Sequence, residues 1–254
     1  MNVVIIGSGN VATVFGRIIK DAGHKITEVY SRDAVHASQL ATELKAISIT
    51  DLEKISKEAD IYIIAVSDDS IQKVADALEL NKKIVVHTSG SVSKNVLQNV
   101  SINYGVLYPL QSLRKEIKHK QIIPLLIDGS NDEITSLIRS FAETISEKVT
   151  IADDSARLKL HVAAVIASNF SNYLYTLTEA FCDEEDVSFS MLIPLIQEVA
   201  LRLNELSPKL TQTGPAIRGD DTTIKKHLEI LSVYPQLQKI YADLSESIRK
   251  FYSK

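Results

Sequence analysis

Gly7-Ser8-Gly9-Asn10-Val11-Ala12 stands between a short β-branched run, Asn2 to Ile6, and an apolar helical pattern made by Val11, Val14, Phe15, Ile18 and Ile19. Small residues at this spacing, after a strand and before a helix, let a main chain cradle a diphosphate. Gly7 permits the tight turn, Gly9 lets the backbone approach a pyrophosphate, and Ala12 brings helix and strand close. The helix N-terminus adds free N–H groups and the positive end of its dipole. The same glycines would also serve a plain tight turn. The weight comes from the order strand, glycine turn, helix, strand, completed by Lys25 to Tyr30.

The second strand ends in Ser31-Arg32-Asp33. A ribose 2′-hydroxyl calls for an acid at this place, whereas a 2′-phosphate calls for an arginine. Ser31 can donate a hydrogen bond and Arg32 can pair with phosphate, so the pair predicts NADP(H) as cofactor. Two alternatives stay open: Arg32 as a solvated surface residue, and Asp33 reaching the ribose.

These residues need elements to hold them. Beyond Arg32, helix spacing over 34–44 is followed by a short strand at 46–49, a short helix beginning at Asp51, and the apolar run Asp60 to Val66. Such a run is what a strand buried on both faces looks like. Val66 and Ser67 end it beside the expected cofactor, and Ser67 to Ser70 reads as the cap of a helix over 71–78. Strands are predicted at 83–87, 104–108, 122–127 and 149–151, with a helix at 131–145. Alternating strand and helix predicts an α/β architecture, a mostly parallel sheet with helices on both faces. Ligands then gather at the carboxyl ends of the strands. Three of those ends, Ser67-Asp68, His87-Thr88-Ser89-Gly90 and Tyr108-Pro109-Leu110-Gln111-Ser112, are expected to line the site, with ordinary strand-to-loop turns as the alternative; His87, Ser89 and Gln111 are candidates for substrate contact.

After Asp153 the strand signal stops. Helical patterns cover 155–181, 188–206, 220–231 and 234–252. The expected division is a nucleotide-binding domain at 1–152 and an all-α domain at 153–254. The first long helix is apolar on several sides, which predicts burial. One stripe is polar: at 100° per residue His161, Ser168 and Asn172 project together, with Asn169 beside them. Buried polar groups need partners, so the stripe either bonds neighbouring helices or a dimer mate, or faces the cleft; Ser168 and Asn172 stay open between the two, while His161 and Asn169 lean toward the cleft. Thr211 to Thr222 has the glycines and proline of a structured loop, where Arg218 could hold an anionic substrate group or pair with Asp220 or Asp221.

Composition narrows the classes. The chain has 254 residues, 45% hydrophobic and 24% charged, with formal net charge -4. That balance gives no reason to expect nucleic acid or an anionic membrane as partner. No apolar run reaches the roughly eighteen residues of a membrane span, and the first strand leaves no room for a signal peptide. The lone cysteine, Cys182, offers neither a disulfide nor a CxxC motif, so no metal site is expected and the cytoplasm is the expected compartment.

The N-terminal fingerprint, Ser31-Arg32, Ala65-Val66-Ser67-Asp68 and a helical second half resemble the superfamily of pyrroline-5-carboxylate reductase, 6-phosphogluconate dehydrogenase and β-hydroxyacid dehydrogenases. His87 to Ser91, Tyr108 to Ser112, His161 with Asn169, and Gly214 to Asp220 resemble one branch more closely: Rossmann-like predicted oxidoreductases with a C-terminal domain of unknown function. The resemblance implies a Rossmann doubly wound sheet, NADP(H) binding and a homodimer through the helical domain. It does not supply a substrate. The β-hydroxyacid dehydrogenases carry a catalytic lysine with an asparagine one turn later; here Lys159 is followed at that distance by Ala163. His161 is the natural substitute, with Asn169 and Ser89 to orient a small substrate and His87 as reserve acid. Imidazole titrates near neutral pH, as a proton donor to C=O or C=N requires. The expected activity is an NADP(H)-dependent oxidoreductase acting on a small carbonyl or imine. The alternatives are a nucleotide-binding sensor without turnover and an enzyme that exchanges hydride with a flavin or deazaflavin.

Overall fold

The computed structural model describes residues 1–118 and 122–253. The described chain forms two compact units, Met1–Phe170 and Ser171–Lys254. In the first, eight strands make one sheet in the order β3-β2-β1-β4-β5-β6-β7-β8. They are β1 (Asn2–Ile6), β2 (Lys25–Tyr30), β3 (Ile47–Ile49), β4 (Ile61–Ile64), β5 (Ile84–His87), β6 (Tyr104–Pro109), β7 (Leu125–Gly129) and β8 (Val149–Ile151). The helices of this unit are α1 (Asn10–Asp21), α2 (Ala34–Leu44), α3 (Asp68–Asp76), α4 (Asp132–Ile145) and α5 (Asp154–Ala164), the last continued by a π-helical stretch, Val165–Phe170.

Side chains alternate across a strand, so a strand covered on both faces must be apolar throughout. β1 meets this requirement, with Val3, Val4, Ile5 and Ile6 all fully buried. Val3 and Ile5 join Phe15, Ile19, Leu40, Ile138 and Phe141 in one core. Val4 and Ile6 join Tyr62, Ile71, Val74 and Leu97 in the other. All pairings are parallel except β6 with β7. A parallel return needs a crossover element. Between Pro109 and Leu125 the described residues contain no helix, and the chain turns back antiparallel. β7 also begins later than the expected 122, because Pro124 has no N–H to give the ladder and pairing starts at Leu125.

The second unit consists of α6 (Ser171–Glu184), α7 (Ile193–Leu201), α8 (Pro208–Thr211), α9 (Pro215–Arg218), α10 (Asp221–Ile230) and α11 (Pro235–Tyr252), with short 3-10 turns between some of them. Edge-to-face packing of Phe181 on Tyr234, and hydrogen bonds from Tyr234 Oη to Glu185 and from Gln236 Nε2 to Tyr173 Oη, tie α6 to the α11 end of the unit. The 211–222 stretch, expected as a loop, contains the single-turn α9 between Gly214 at φ +107° and Gly219 at φ +66°. Asp220 then caps α10 by accepting from Thr223 N at 3.0 Å.

Two expectations change. The compact boundary falls at 170/171, not 152/153, because α5 packs with the sheet unit through Arg157, which is 1% exposed. The long apolar helix expected to be buried is not covered by its own chain: Leu158, Val162, Ile166 and Phe170 are exposed. Among the described apolar residues of the second unit only Cys182, Ala216 and Leu231 are buried, while Met191, Leu195, Val199 and Leu203 face solvent.

Candidate functional site

The turn between β1 and α1, the end of β2, the end of β4 and one face of α3 enclose a cleft of about 470 Å³. Gly7, Ser8, Gly9, Asn10, Val11, Ser31, Arg32, Val66 and Ser67 all line it, so the structure brings nine of the predicted cofactor residues to one place. Ala12 lies beneath, fully buried, as close helix–strand packing requires. Gly7 is the constrained position. Its φ is +131°, and a Cβ there would sit 2.1 Å from the Ala65 carbonyl oxygen. Its N–H donates to Tyr30 O at 2.8 Å, which joins the turn to β2. Gly9 is the reverse case: a Cβ on it would meet nothing within 4 Å, so its surface faces open space. Gly9 caps α1 without any side-chain hydrogen bond. The first N–H groups of α1 therefore remain available to an anion.

At the rim, Ser8 Oγ donates to Ser31 Oγ at 2.8 Å. Asp33 is engaged elsewhere: it caps α2 by accepting from His36 N at 3.0 Å, and this hydrogen bond holds its carboxyl below the usual range. The cap takes one carboxyl oxygen of Asp33. Arg32 is exposed and, among the described residues, has no ion-pair partner. Lys73 of α3 lines the same cleft, also without an ion pair there. The sequence reading missed it. Its signal was the helical spacing of Ser67, Ser70, Lys73 and Val74 after a strand that ends at the cleft. An open glycine surface, an uncapped helix N-terminus and two unpaired cations fit a phosphorylated dinucleotide.

A second cluster lies at the ends of β5 and β6, within the same unit. His161 of α5 places Nδ1 2.9 Å from Tyr108 Oη of β6, the rings meeting edge to face. Gly90 allows this approach: a Cβ there would fall 2.8 Å from His161 Nδ1 and 2.9 Å from Tyr108 Cζ. The loop that carries Gly90 is pinned from several sides. Ser91 Oγ donates to Asp68 Oδ2 at 2.5 Å, and Ser89 Oγ accepts from Ser91 N and Val92 N. Arg157 Nη2 donates to Val92 O at 2.5 Å and to Asp154 at 2.7 Å. Asp68 follows Ser67, so the first turn of α3 touches both clusters. Burial, followed by the charge of Asp68, pushes the Tyr108 hydroxyl up from its ordinary pKa and keeps it protonated.

Other sequence candidates land differently. His87 was expected to touch substrate or act as reserve acid. It is fully buried, and burial, followed by the Arg157 charge, lowers it to about 4 against pulls from the Ser93 backbone and Asp154. Its Nδ1 accepts from Ser89 N at 3.2 Å. A neutral, enclosed imidazole props up the loop and is a poor acid at neutral pH. Ser89 is also buried, its oxygen already used by the loop. Gln111 is exposed and bonds back to Ser112 N at 3.0 Å. Asn169 is exposed in the π-helical stretch, where the uniform 100° projection from His161 fails because hydrogen bonds there span five residues. Arg218 belongs to the second unit, exposed at the end of α9 and, among the described residues, without an ion pair; Asp221 pairs with Arg249 instead. Asp68, Gly90 and Tyr108 were expected only as lining at strand ends, since 53 residues separate Tyr108 from His161 and only the fold joins them; Arg157 had no expected role.

Residues 2–90 match the family model described as NADP oxidoreductase coenzyme F420-dependent, and residues 123–248 match a domain of unknown function, DUF2520. The chain is 36% identical to a candidate NADP oxidoreductase from Bacteroides fragilis, over 98% of each chain and with a TM-score of 0.92. A Thermotoga maritima protein is 23% identical over 99% of this chain and 100% of its own, with a TM-score of 0.81. An imine reductase from Myxococcus stipitatus, solved with NADP+, is 15% identical over 98% and 93%, with a TM-score of 0.65. The last two likenesses are of fold. No curated protein matches the chain.

Proposed function

Since this chain belongs to the family of NADP oxidoreductases that join a coenzyme F420-type domain to DUF2520, we propose that it transfers a hydride between NADP(H) and a small carbonyl or imine compound. NADP is its cofactor. When bound, it supplies the hydride; the chain's own residues bind, orient and handle the proton. Gly7 to Val11 and the α1 N-terminus hold the pyrophosphate. Ser31, Arg32 and Lys73 take the 2′-phosphate, and Val66 and Ser67 flank the nucleotide on the β4 side. His161 delivers the proton that reduction of C=O or C=N requires. The observation that carries this reading is the His161 ring, seated on Tyr108 and Gly90 with Nε2 unpartnered among the described residues, on the loop that Asp68 ties to the cleft. The shared fold with an imine reductase supports C=N as the first bond to try.

Titration with NADPH and NADH, followed by nicotinamide fluorescence, tests the cofactor half. Hydrogen bonds to a charged group contribute about 1.5–3 kcal/mol. Arg32→Ala should therefore weaken NADPH by roughly tenfold to a hundredfold and leave NADH little changed. Equal loss for both cofactors would place Arg32 away from the 2′-phosphate. Consumption of NADPH across a panel of cyclic imines, ketones and aldehydes tests the substrate half.

The description of the N-terminal family model supports a second redox partner, a deazaflavin, which NADPH would reduce in place of the imine. The exposed apolar side chains Leu195, Val199 and Leu201 of α7 support assembly as a homodimer, since patches of this kind mark interfaces. Sedimentation should give twice the chain mass, and Val199→Glu should shift it toward the monomer. A monomer in both would remove the dimer. Cys182, buried and free, fits a reducing compartment such as the cytoplasm.

A further inference from the structure

The placement of Tyr108 goes further than a wall for the site. Resting on the reading of His161 as proton donor, we infer that Tyr108 is a positioning residue that reserves one nitrogen of the His161 ring and leaves Nε2 as the working atom.

Tyr108 Oη lies 2.9 Å from His161 Nδ1, and among the described residues this is the hydroxyl's hydrogen bond. Tyr108 is 8% exposed, so its O–H must find a protein partner or go unsatisfied. Donating to Nδ1 satisfies it and places the proton of the neutral ring on Nε2. The ring has little freedom to turn. Gly90 presses against Cγ and Nδ1 from one side, where a single added carbon would fall at 2.8 Å. The Tyr108 ring meets it edge to face, centroids 5.8 Å apart. Nε2 carries no partner among the described residues and is the nitrogen left for a ligand.

Proton transfer from His161 needs no tyrosinate. In the reductive direction the ring begins as imidazolium. The Nε2–H bond breaks as a heteroatom–H bond forms on the product, while NADPH provides the hydride. The ring is left, for that step only, with its proton on Nδ1 and donated to the Tyr108 oxygen; solvent protonates Nε2 again, and loss of the Nδ1 proton to solvent restores the resting neutral tautomer in which Tyr108 donates to Nδ1. A hydroxyl accepts as readily as it donates, so the contact survives both states. Burial and the Asp68 charge disfavour the phenolate, which argues for a holder of the ring over a carrier of the proton.

Tyr108→Phe keeps the ring and removes only the hydroxyl. Nitrogen-15 spectra of the His161 ring, recorded where it is neutral, should show in the wild type a protonated Nε2 and a hydrogen-bonded Nδ1. In the variant the two resonances should draw together as the tautomers mix. Turnover on the substrate found by the panel should fall by roughly tenfold to a hundredfold, the scale of a misplaced catalytic group, with NADPH affinity unchanged. In a His161→Ala background the same change should have no further effect. Identical spectra and rates for wild type and Tyr108→Phe, with His161→Ala inactive, would overturn the inference while leaving the donor in place. An active His161→Ala protein would remove the donor itself, and the role of Tyr108 with it.

Discussion

Alanine in place of His161 should lower turnover by about 10²–10⁴-fold while the protein stays folded and binds NADPH as before. The size follows from what is lost. A positioned acid contributes on that scale, and the neighbouring polar groups cannot replace it. His87 is fully enclosed and lowered to about 4, so it is neutral and out of reach. Tyr108 is held protonated, above its ordinary value. The fold should survive because His161 is only partly buried and its removal opens no hole among the core residues. Steady-state turnover on the panel substrate, beside a thermal melt and an NADPH titration, checks all three expectations. Unchanged turnover would move the donor elsewhere.

Gly7→Ala should be the most damaging single change in the nucleotide cleft. Two costs coincide. The backbone at φ +131° is one that a side-chain-bearing residue rarely adopts, and the new carbon would lie 2.1 Å from Ala65 O and 2.8 Å from Ala65 C. Those are main-chain atoms just past β4, whose partner is β1 itself, Ile6 opposite Ile64, so neither can retreat without breaking the centre of the sheet. Backbone strain of this kind costs about 1–3 kcal/mol, and forced overpacking a similar amount. For a chain of this size that corresponds to a fall in Tm of roughly 5–15 °C, with NADPH binding reduced more than tenfold because the turn no longer presents its N–H groups. Gly9→Ala is the matched control. Its Cβ would meet no protein atom within 4 Å, so the melt should not move, yet the carbon occupies the space a pyrophosphate needs and NADPH affinity should drop. If Gly9→Ala binds NADPH like the wild type, the phosphate does not lie over that turn.

The parts of this fold that could be read from the chain are those in which local pattern and global position agree. β1 is apolar at every inward and outward position because both of its faces are covered, and the glycine turn follows it directly. The all-helical second half was equally visible, since no alternating run occurs after Ile151. Strand direction was not legible: the apolar run of β7 looks the same whether it pairs parallel or antiparallel, and the connection before it decides. The apolar helix around Val162 was expected to be buried, yet its apolar side chains are exposed, because hydrophobicity alone does not fix what a side chain packs against. Asn169 was grouped with His161 by a projection that holds only for unbroken α-helix. Arg157 had no signal at all: an arginine in an amphipathic pattern reads as surface, and only the fold puts it under the Val92 carbonyl. The cleft residues were recoverable because the fingerprint is contiguous. The Tyr108–His161 pair was recoverable only as two separate candidates.

One labelling measurement bears most directly on the claim that this protein reduces a small C=N or C=O bond with NADPH. NADPH carrying deuterium at both positions of nicotinamide C4 is incubated with the protein and the panel of imines, ketones and aldehydes, and the products are weighed by mass spectrometry. The account predicts one deuterium on the former imine or carbonyl carbon of at least one member, formed by the wild type and nearly absent with His161→Ala. NADPH that binds tightly and passes label to no carbon acceptor would contradict it.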